Sequence, residues 1–368
     1  MGKIIGYGFS LDDVLLVPRY SSLASRSEVS VRTRFSRRVS INIPIASAAM
    51  DTVTEHKMAI AMARAGGVGV IHRFMNIERQ AEEVRRVKEA EVGLSPVEAI
   101  GRDGRLAVAA AVGVKGDYLA RAERLYRAGA DAIVIDVAHA HSRLAIEALR
   151  SIRGLLGDSI DIVVGNIATS EAAEDLISSG ADGLKVGIGP GHACTTRIVA
   201  GVGVPQLTAI MDVTSVAKPH GVPVIADGGI RSSGDAVKAL AAGASCIMIG
   251  YLLAGTDEAP GRVVMVDGVK YKLYRGMASN SSYLERLSID GVDPEDLSSY
   301  ASEGIEMLVQ YRGSVSEVIS NLVAGIRSGF SYIGARNIEE LWERSLFIAL
   351  APGAHRESYS RPGMGLRL

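Results

Sequence analysis

The chain has 368 residues, of which 48% are hydrophobic and 22% are charged, a composition typical of a globular protein with a large core. Its 40 Lys and Arg residues nearly balance its 41 Asp and Glu residues, so no overall charge favours nucleic acid or a membrane as a partner. The two cysteines, Cys194 and Cys246, are too few for a disulfide framework. The first residues carry no secretion signal pattern, and every apolar run ends well before the roughly 20 residues of a membrane span, so we expect a cytoplasmic protein.

Short apolar segments alternate with amphipathic stretches from about residue 44 to residue 250. This alternation is typical of βα units around a parallel sheet. The predicted strands are Pro44–Ser47, Val68–Ile71, Ala107–Val112, Ala132–Asp136, Ile162–Gly165, Gly183–Val186, Val222–Ala226 and Cys246–Ile249. Eight strands favour a closed (β/α)₈ TIM barrel, and an open doubly wound sheet is the alternative.

The segments between these strands have apolar residues at three- and four-residue spacing, which predicts helices that pack on the sheet. The clearest of them are Leu119–Ala128, Leu144–Leu155, Ser170–Ser179 and Gly234–Ala242.

The residues after the last predicted strand form an extension of the barrel. Val263–Lys272 predicts a small hairpin around Asp267 and Gly268. Residues 279–302 are polar and almost without periodicity, so we interpret them as a flap over the active site. The sequence therefore predicts a single catalytic barrel domain over residues 1–368, with a flap at about 279–302 and a C-terminal extension.

The loop that follows the sixth predicted strand is the most informative segment, because barrel enzymes place their chemistry where strands end. Gly187, Gly189 and Gly191 leave backbone N–H groups open to a phosphate or a ring edge. Cys194 lies at the end of this loop, beside hydroxyl groups and close in sequence to Arg197, a setting that favours a thiolate. We interpret Cys194 as a candidate nucleophile, and a small buried cysteine is the alternative.

The seventh and eighth predicted strands end in a second candidate site. Asp227 offers a carboxylate that can accept both hydroxyls of a ribose, and Gly229 precedes a helix N-terminus that can hold phosphate. Gly250 allows a second close backbone approach, as in barrel phosphate sites made by the last two loops. The alternative is that Asp227 only caps its loop.

Two further strand ends carry polar residues. Asp136 and Asn166 follow the fourth and fifth predicted strands and can bind a second ligand. His139 and His141 have no other metal-ligating cluster nearby in sequence, which disfavours a zinc site.

Several long motifs follow one another in a characteristic order. They are SLDDVLLVPRY (10–20), AAMDTVTE (48–55), GGVGVIHR (66–73), GNIAT (165–169), GIGPGHACTTRIVAGVGVPQ (187–206), ADGGIRSSGDAVKALAAGA (226–244), YRGMAS (274–279) and EGIE (303–306). With these motifs in this order, the chain resembles the IMP dehydrogenase and GMP reductase family over nearly its whole length. The resemblance implies a (β/α)₈ barrel assembled as a homotetramer. The CBS pair that many IMP dehydrogenases insert is not expected, since only residues 73–105 occupy its place.

The resemblance also assigns roles to residues. It implies that Cys194 attacks C2 of a purine mononucleotide, GMP or IMP, with Thr196 as the catalytic threonine and Glu303 as a carboxylate near the base. It implies substrate contacts from Ser47, Met50, His192, Asp227, Gly229, Gly250, Tyr251, Tyr274, Met277 and Ala278. The resemblance implies that Asp136 and Asn166 contact the nicotinamide cofactor, NADPH or NAD. The resemblance also implies a site for a monovalent cation such as potassium at Gly189, Gly191, Cys194 and Glu357. Glu357 would reach this site across a subunit boundary.

The two reactions of the family share one covalent species, in which the cysteine sulfur is bonded to C2. A dehydrogenase converts IMP and NAD⁺ to XMP and needs a base for the hydrolytic water, which the family takes from an Arg-Tyr pair on the flap. The flap sequence here has a single arginine, Arg286, followed by Leu287, and its end, YASEG (300–304), is closer to the reductase pattern. These features favour GMP reductase, which converts GMP and NADPH to IMP and ammonia.

Other features favour the alternatives. The flap is about as long as in dehydrogenases, and VAHAHS (137–142) and RES (356–358) resemble dehydrogenase segments. His192 and Tyr251 are bulky at positions near the phosphate where the family usually has a small residue. This pair leaves open a rebuilt phosphate site or a catalytically silent nucleotide-binding relative, although the retained Cys194, Thr196 and Glu303 argue against a silent protein.

Overall fold

The computed structural model describes residues 3–290 and 301–358. Its strands, in chain order, are β1 (Val14–Leu16), β2 (Thr33–Arg34), β3 (Ser40–Ile41), β4 (Ile45–Ser47), β5 (Val68–Ile71), β6 (Val108–Val112), β7 (Ala132–Asp136), β8 (Asp161–Ile167), β9 (Gly183–Val186), β10 (Val224–Asp227), β11 (Cys246–Ile249), β12 (Val264–Val266), β13 (Val269–Arg275), β14 (Glu306–Gln310) and β15 (Phe347–Ala349).

The helices are distributed along the same residues. They are α1 (His56–Arg64), α2 (Ile77–Glu89), α3 (Tyr118–Arg127), α4 (Arg143–Leu156), α5 (Ser170–Ser178), α6 (Thr196–Val199), α7 (Gln206–Ala217), α8 (Ser233–Ala241), α9 (Tyr251–Ala254), α10 (Asn280–Asp290), α11 (Val315–Ile333) and α12 (Ile338–Arg344).

The strands β4 to β11 close into a parallel barrel, in the order β10-β11-β4-β5-β6-β7-β8-β9. The (β/α)₈ prediction is confirmed, and the open-sheet alternative is excluded by the pairing of β11 with β4. Four predicted strands have the observed bounds, and the other four shift by one or two residues at their ends, where strand assignment is least certain.

Burial explains why these segments are strands and helices. The strands β5, β6, β9 and β11 are buried along their whole length, because side chains fill the barrel inside and helices cover it outside. In α4 the buried residues are Ala145, Ala148, Leu149, Ile152 and Leu156, which form one face at helical spacing.

The extension after β11 positions part of the cavity wall. The predicted hairpin around Asp267 and Gly268 is confirmed as β12 and β13, and β14 completes a three-stranded sheet. The end of β13 brings Tyr274 to the mouth of the barrel, where this side chain is buried. The helix α11 packs against α8, and β15 pairs with β1 in a separate two-stranded sheet.

The segment predicted to form a flap, residues 279–302, begins with a helix that the sequence analysis did not predict. The helix α10 begins at Asn280, and its first turn is capped by Ser279, whose carbonyl accepts from the Tyr283 N–H at 3.0 Å. No Gly or Pro interrupts this segment, and its weak apolar pattern hid the helix from periodicity. Residues 291–300 lie outside the described part of the chain.

Within residues 3–290 and 301–358, no helix is both long and apolar enough to cross a membrane.

A buried ion pair lies beneath the barrel, away from the loops that follow the strands. Lys88 Nζ contacts Asp131 Oδ2 at 2.7 Å, with 6% and 2% of the two side chains exposed. The carboxylate also accepts from the backbone N–H groups of Val108 and Arg102, at 2.9 and 3.0 Å. This cluster joins α2 to the start of β6 and the loop before β7.

We predict that Lys88→Met lowers the free energy of unfolding by about 3–5 kcal/mol, because a buried carboxylate loses its cation. Urea denaturation measures this change. The control is Arg143→Met, which breaks the exposed pair with Glu147 at 3.3 Å and should cost less than about 1 kcal/mol. Equal effects of the two substitutions would contradict this account of the cluster.

Candidate functional site

A cavity of about 750 Å³ opens at the carboxyl ends of the barrel strands. Barrel enzymes use this face for binding and catalysis, because its loops vary without disturbing the core. The structure brings most of the residues predicted from the sequence to the cavity surface: Met50, Asp136, Asn166, Gly189, Gly191, His192, Cys194, Thr196, Asp227, Gly229, Gly250, Tyr251, Tyr274, Met277, Ala278 and Glu303.

Three side chains form a hydrogen-bonded chain at the cavity wall. Cys194 Sγ lies 3.1 Å from Thr196 Oγ1, and this hydroxyl donates to Glu303 Oε2 at 2.7 Å. Because the threonine donates to the carboxylate, its oxygen is free to accept from the thiol. The arrangement provides a path for a proton from the sulfur to Glu303.

Backbone hydrogen bonds hold this chain together. The Thr195 N–H donates to the Glu303 carbonyl at 2.8 Å, and the Ile305 N–H donates to the Ala193 carbonyl at 3.0 Å. These bonds form an antiparallel bridge between Cys194 and Gly304. A Cβ atom at Gly276 would lie 2.9 Å from the Ala193 carbonyl oxygen, so glycine permits the close approach of β13 to the cysteine loop.

The second cysteine is in a different environment. Cys246 is fully buried on β11, and burial raises the pKa of its thiol. A buried thiol of raised pKa is a poor nucleophile. Cys194 is half-buried and faces the cavity, so the geometry favours it as the reactive cysteine.

A buried lysine joins residues that the sequence analysis assigned to separate ligands. Lys185 Nζ contacts Asp136 Oδ1 at 2.9 Å and Asp227 Oδ2 at 2.5 Å. Asn166 accepts from the same ammonium group and donates to Asp227 Oδ2 at 3.0 Å. Asp136, Asn166 and Asp227 therefore form one cluster on the cavity floor, with Lys185 at its centre.

The two carboxylates of this cluster keep the buried lysine charged. Burial alone would lower the pKa of Lys185, but the carboxylates of Asp136 and Asp227 outweigh it and raise that pKa above its usual value. Sequence reasoning missed Lys185, although a lysine within a strand that is otherwise apolar was a signal.

Gln206 is a second residue that sequence reasoning missed. Its amide nitrogen donates to the carbonyls of Val186 and Asp227, at 3.0 and 3.1 Å. Its amide oxygen is buried and has no hydrogen-bond partner within the described residues. Gly187 lies beside it with φ +149°, and a Cβ there would lie 2.0 Å from the Asp227 carbonyl oxygen. Gln206 thus fixes the backbone at the ends of β9 and β10.

Aromatic side chains lie at the end of the cavity formed by the last strands. The rings of His192 and Tyr251 stack with centroids 3.7 Å apart, and Tyr274 meets Tyr251 edge to face at 5.9 Å. The Tyr274 hydroxyl also approaches Met50 Sδ at 3.8 Å. The sequence placed His192 and Tyr251 near each other only by resemblance.

An ion pair ties α10 to the barrel mouth. The Arg275 Nε donates to Asp51 Oδ2 at 2.8 Å, and its guanidinium also contacts Glu285 on α10 and Ser281 Oγ at 3.0 Å. Arg275 directly precedes Gly276, Met277 and Ala278 in the cavity wall. This link could not be predicted from the sequence, because Asp51 and Arg275 lie 224 positions apart in the chain.

Two predicted residues are not at the cavity surface. Ser47 is fully buried at the end of β4, where its hydroxyl accepts from Thr54 Oγ1 at 2.9 Å, so it supports the wall instead of lining it. Glu357 is exposed on a C-terminal 3₁₀ turn, and within the described residues no hydrogen bond joins it to the loop of Gly189 and Gly191. The side chain of Arg286 lies outside the described residues.

Comparison with known proteins places the chain in a family. Residues 8–361 match the family described as IMP dehydrogenase / GMP reductase domain. The inosine-5'-monophosphate dehydrogenase of Cryptosporidium parvum is 46% identical over 97% of this chain and 96% of its own length. The GMP reductase of Leishmania donovani is 36% identical over 96% of each chain.

A solved structure is similar over the whole barrel. A Cys-to-Ala variant of the GMP reductase from Trypanosoma brucei, in complex with guanosine 5'-monophosphate, is 37% identical, has a TM-score of 0.91 and covers 98% of each chain. With the family match over nearly all residues, these similarities identify the chain as a member of the IMP dehydrogenase and GMP reductase family of NAD(P)-dependent oxidoreductases.

Proposed function

We propose that the protein is a GMP reductase, which converts GMP and NADPH to IMP, NADP⁺ and ammonia through a covalent bond between Cys194 and C2 of the purine. The observation that carries this proposal is the hydrogen-bonded chain from Cys194 Sγ through Thr196 to Glu303. A reductase must protonate a departing amine, and this chain leads from the sulfur to a carboxylic acid at the same wall of the cavity.

The residues account for each proton. The thiol proton of Cys194 passes through Thr196 to Glu303 as the sulfur bonds to C2 and the electron pair of the ring C=N bond moves to nitrogen. Glu303 then returns a proton to the amine, the C–N bond breaks, and ammonia leaves as the ring C=N bond re-forms. NADPH, when bound, supplies the hydride that reduces C2. The C–S bond then breaks and releases IMP, and the thiolate takes up one proton from solvent, which restores the thiol.

The two substrates are assigned to different residues of the cavity. We assign the ribose of GMP to Asp227 and its phosphate to the loops at Gly229 and Gly250. The cavity side formed by Asp136 and Asn166 is assigned to the cofactor. It fits such a group because Asp136 uses Oδ1 for Lys185, which leaves its second oxygen available to ribose hydroxyls.

IMP dehydrogenase is the second candidate, and the 46% identity to the Cryptosporidium parvum enzyme favours it. The dehydrogenase reaction uses the same C2 adduct but ends with attack by water. The flap sequence lacks the Arg-Tyr pair that would serve as base, and its single arginine, Arg286, precedes Leu287. The missing base favours the reductase over the dehydrogenase, since both reactions would use the chain from Cys194 to Glu303.

Other expectations from the sequence stay predictions. These are the homotetramer, the cytoplasmic location, the single domain without a CBS insert and a potassium site at Gly189, Gly191, Cys194 and Glu357. A cation held by that set needs Glu357 from a second subunit, because within one described chain no contact joins it to the cysteine loop. A catalytically silent nucleotide-binding protein, which would turn over neither substrate pair, remains the alternative to both enzymes.

We predict that Cys194→Ala reduces turnover by at least about 10³-fold in either direction, because Cys194 is the one thiol among the described residues that lines the cavity. Spectrophotometry of the reduced cofactor measures this loss. The matched control is Cys246→Ala, which should retain activity within about threefold, since the buried thiol does not reach the cavity. Comparable activity of the two variants would contradict a covalent role for Cys194.

Glu303→Gln should slow release of ammonia from GMP by about 10²–10⁴-fold, the usual contribution of a positioned acid. The Kd for GMP should stay nearly unchanged, because the amide preserves the shape of the carboxylate. Glu306→Gln, an exposed residue on β14, is the control and should leave both quantities unchanged. If the Glu303→Gln variant binds GMP poorly but releases ammonia at the normal rate, the proposed role of Glu303 as the acid is contradicted.

The direction of the reaction is tested with two substrate pairs. GMP with NADPH should give continuous turnover, whereas IMP with NAD⁺ should yield at most one equivalent of reduced cofactor per active site, because no base activates water. Sustained formation of XMP that is lost in Arg286→Ala would instead identify a dehydrogenase with a relocated base. Absence of turnover with both pairs would support the silent relative.

A further inference from the structure

The buried ammonium group on the cavity floor takes no part in the proposed reaction. Lys185 Nζ contacts Asp136 Oδ1 at 2.9 Å and Asp227 Oδ2 at 2.5 Å, and it also donates to Asn166 Oδ1. A lysine ammonium carries three N–H donors. These three acceptors use all of them, so Lys185 has no donor left for a substrate and can act on one only through its neighbours.

The barrel makes room for this lysine at one position of the neighbouring strand. In the parallel ladder, Gly165 of β8 lies between its register partners Asp136 on β7 and Lys185 on β9. A Cβ atom at Gly165 would lie 2.5 Å from the Lys185 Cβ, closer than non-bonded carbon atoms approach each other. Glycine at this position therefore lets the lysine side chain lie between the strand ends, where only 2% of it is exposed.

Each carboxylate of the cluster keeps one oxygen that the shortest contact with the ammonium does not use. These oxygens are Oδ2 of Asp136 and Oδ1 of Asp227, and both residues line the cavity. Asn166 adds a second fixed contact, because its amide donates to Asp227 Oδ2 at 3.0 Å. Since a carboxylate is rigid and planar, contacts that fix one of its oxygens also fix the direction of the other.

The same contacts hold two like charges close together. Asp136 and Asp227 both lie within hydrogen-bond distance of one nitrogen atom. Carboxylates at such a separation repel each other, and in a partly buried site solvent screens this repulsion only weakly. The ammonium attracts both groups and offsets the repulsion. Without it, the two carboxylates would move apart and lose their orientation toward the cavity.

We propose that Lys185 is a positioning residue for both substrates. It holds Asp136 and Asp227 at the separation and in the orientation in which one carboxylate accepts from the ribose of the cofactor and the other accepts from the ribose of the nucleotide. The proposal rests on the ligand assignments of the proposed function, and it adds to them a residue that neither substrate touches. A single buried side chain then determines the affinity for two different ligands.

The first test is Lys185→Met, which keeps nearly the length of the side chain and removes its charge and its donors. The Kd of GMP and the Kd of NADPH should each rise by about 10- to 100-fold, the usual effect of losing a charge-assisted hydrogen bond. The kcat at saturating substrate should fall less than kcat/KM, because the cluster contacts parts of the ligands that do not react. Isothermal titration calorimetry of the full-length protein measures the first Kd, and the fluorescence of NADPH measures the second.

The matched control is Lys88→Met, which removes the cation of a second buried ion pair, beneath the barrel. The Lys88 side chain is 6% exposed, so both substitutions leave a buried carboxylate without its lysine. Lys88→Met should destabilise the fold but leave both Kd values within about twofold of the wild type, since the cluster is remote from the cavity. Equal losses of affinity in the two variants would show that Lys185 only supports the fold, which would overturn the proposal.

A second comparison separates position from charge, and it decides the question even if Lys185→Met does not fold. The double variant Lys185→Met/Asp136→Asn has the same net charge in the cluster as the wild type, because one cation and one anion are removed together. It should bind GMP about 10- to 100-fold more weakly than Asp136→Asn alone, because Asp227 has lost the ammonium that orients it. Equal GMP affinity of these two variants would mean that the lysine only neutralises Asp136, and the proposal would be wrong. Asp227→Asn in place of Asp136→Asn makes the same test for NADPH.

The wild-type protein distinguishes a failure of this inference from a failure of the proposed function. If the wild type turns over IMP with NAD⁺ and not GMP with NADPH, the proposed direction is wrong. Loss of affinity for IMP and NAD⁺ in the same Lys185 variants would then still support the positioning role, and unchanged affinity would overturn it. A wild-type protein that binds neither GMP nor IMP would overturn the proposed function and this inference together.

Discussion

The hydrogen bond between Thr196 and Glu303 joins two distant parts of the chain into one site. The two residues are 107 positions apart, and the bond is supported by the backbone bridge between Cys194 and Gly304. Without it, the cysteine loop and the segment that enters β14 would share no proton path. The barrel supplies the rigid support for this contact, because β9 and the loop after it are fixed by Gln206 and by the close approach of Gly276.

Much of the fold could be predicted from the sequence, because barrel strands are buried on both faces and read as short apolar runs. The bounds of β5, β7, β9 and β11 follow directly from these runs. The helix α10 escaped prediction, since its residues lack a strong apolar face and only the serine cap at Ser279 marks its start. Local patterns predict elements that bury a face, and they miss elements fixed by contacts such as the link from Arg275 to Glu285.

The candidate site was predictable where its residues lie in one loop. Cys194 and Thr196 are two positions apart and follow a strand, so residue types and position indicated them, whereas Glu303 came only from the resemblance. Lys185 was missed because its partners become neighbours only when the barrel closes around it. The closed sheet thus converts three separate strand ends into one charged cluster beneath the ribose and cofactor positions that we propose.

The proposed chemistry depends on a covalent bond between Cys194 Sγ and C2 of the purine. Because this adduct is common to both family reactions, its detection does not depend on the direction of turnover. The most direct measurement is mass spectrometry of peptides from protein that is incubated with IMP and NAD⁺ and then denatured in acid. The account predicts a nucleotide-sized mass increase on the peptide that contains Cys194 and none on the peptide that contains Cys246. An adduct on Cys246, or none on either peptide while reduced cofactor forms, would contradict it.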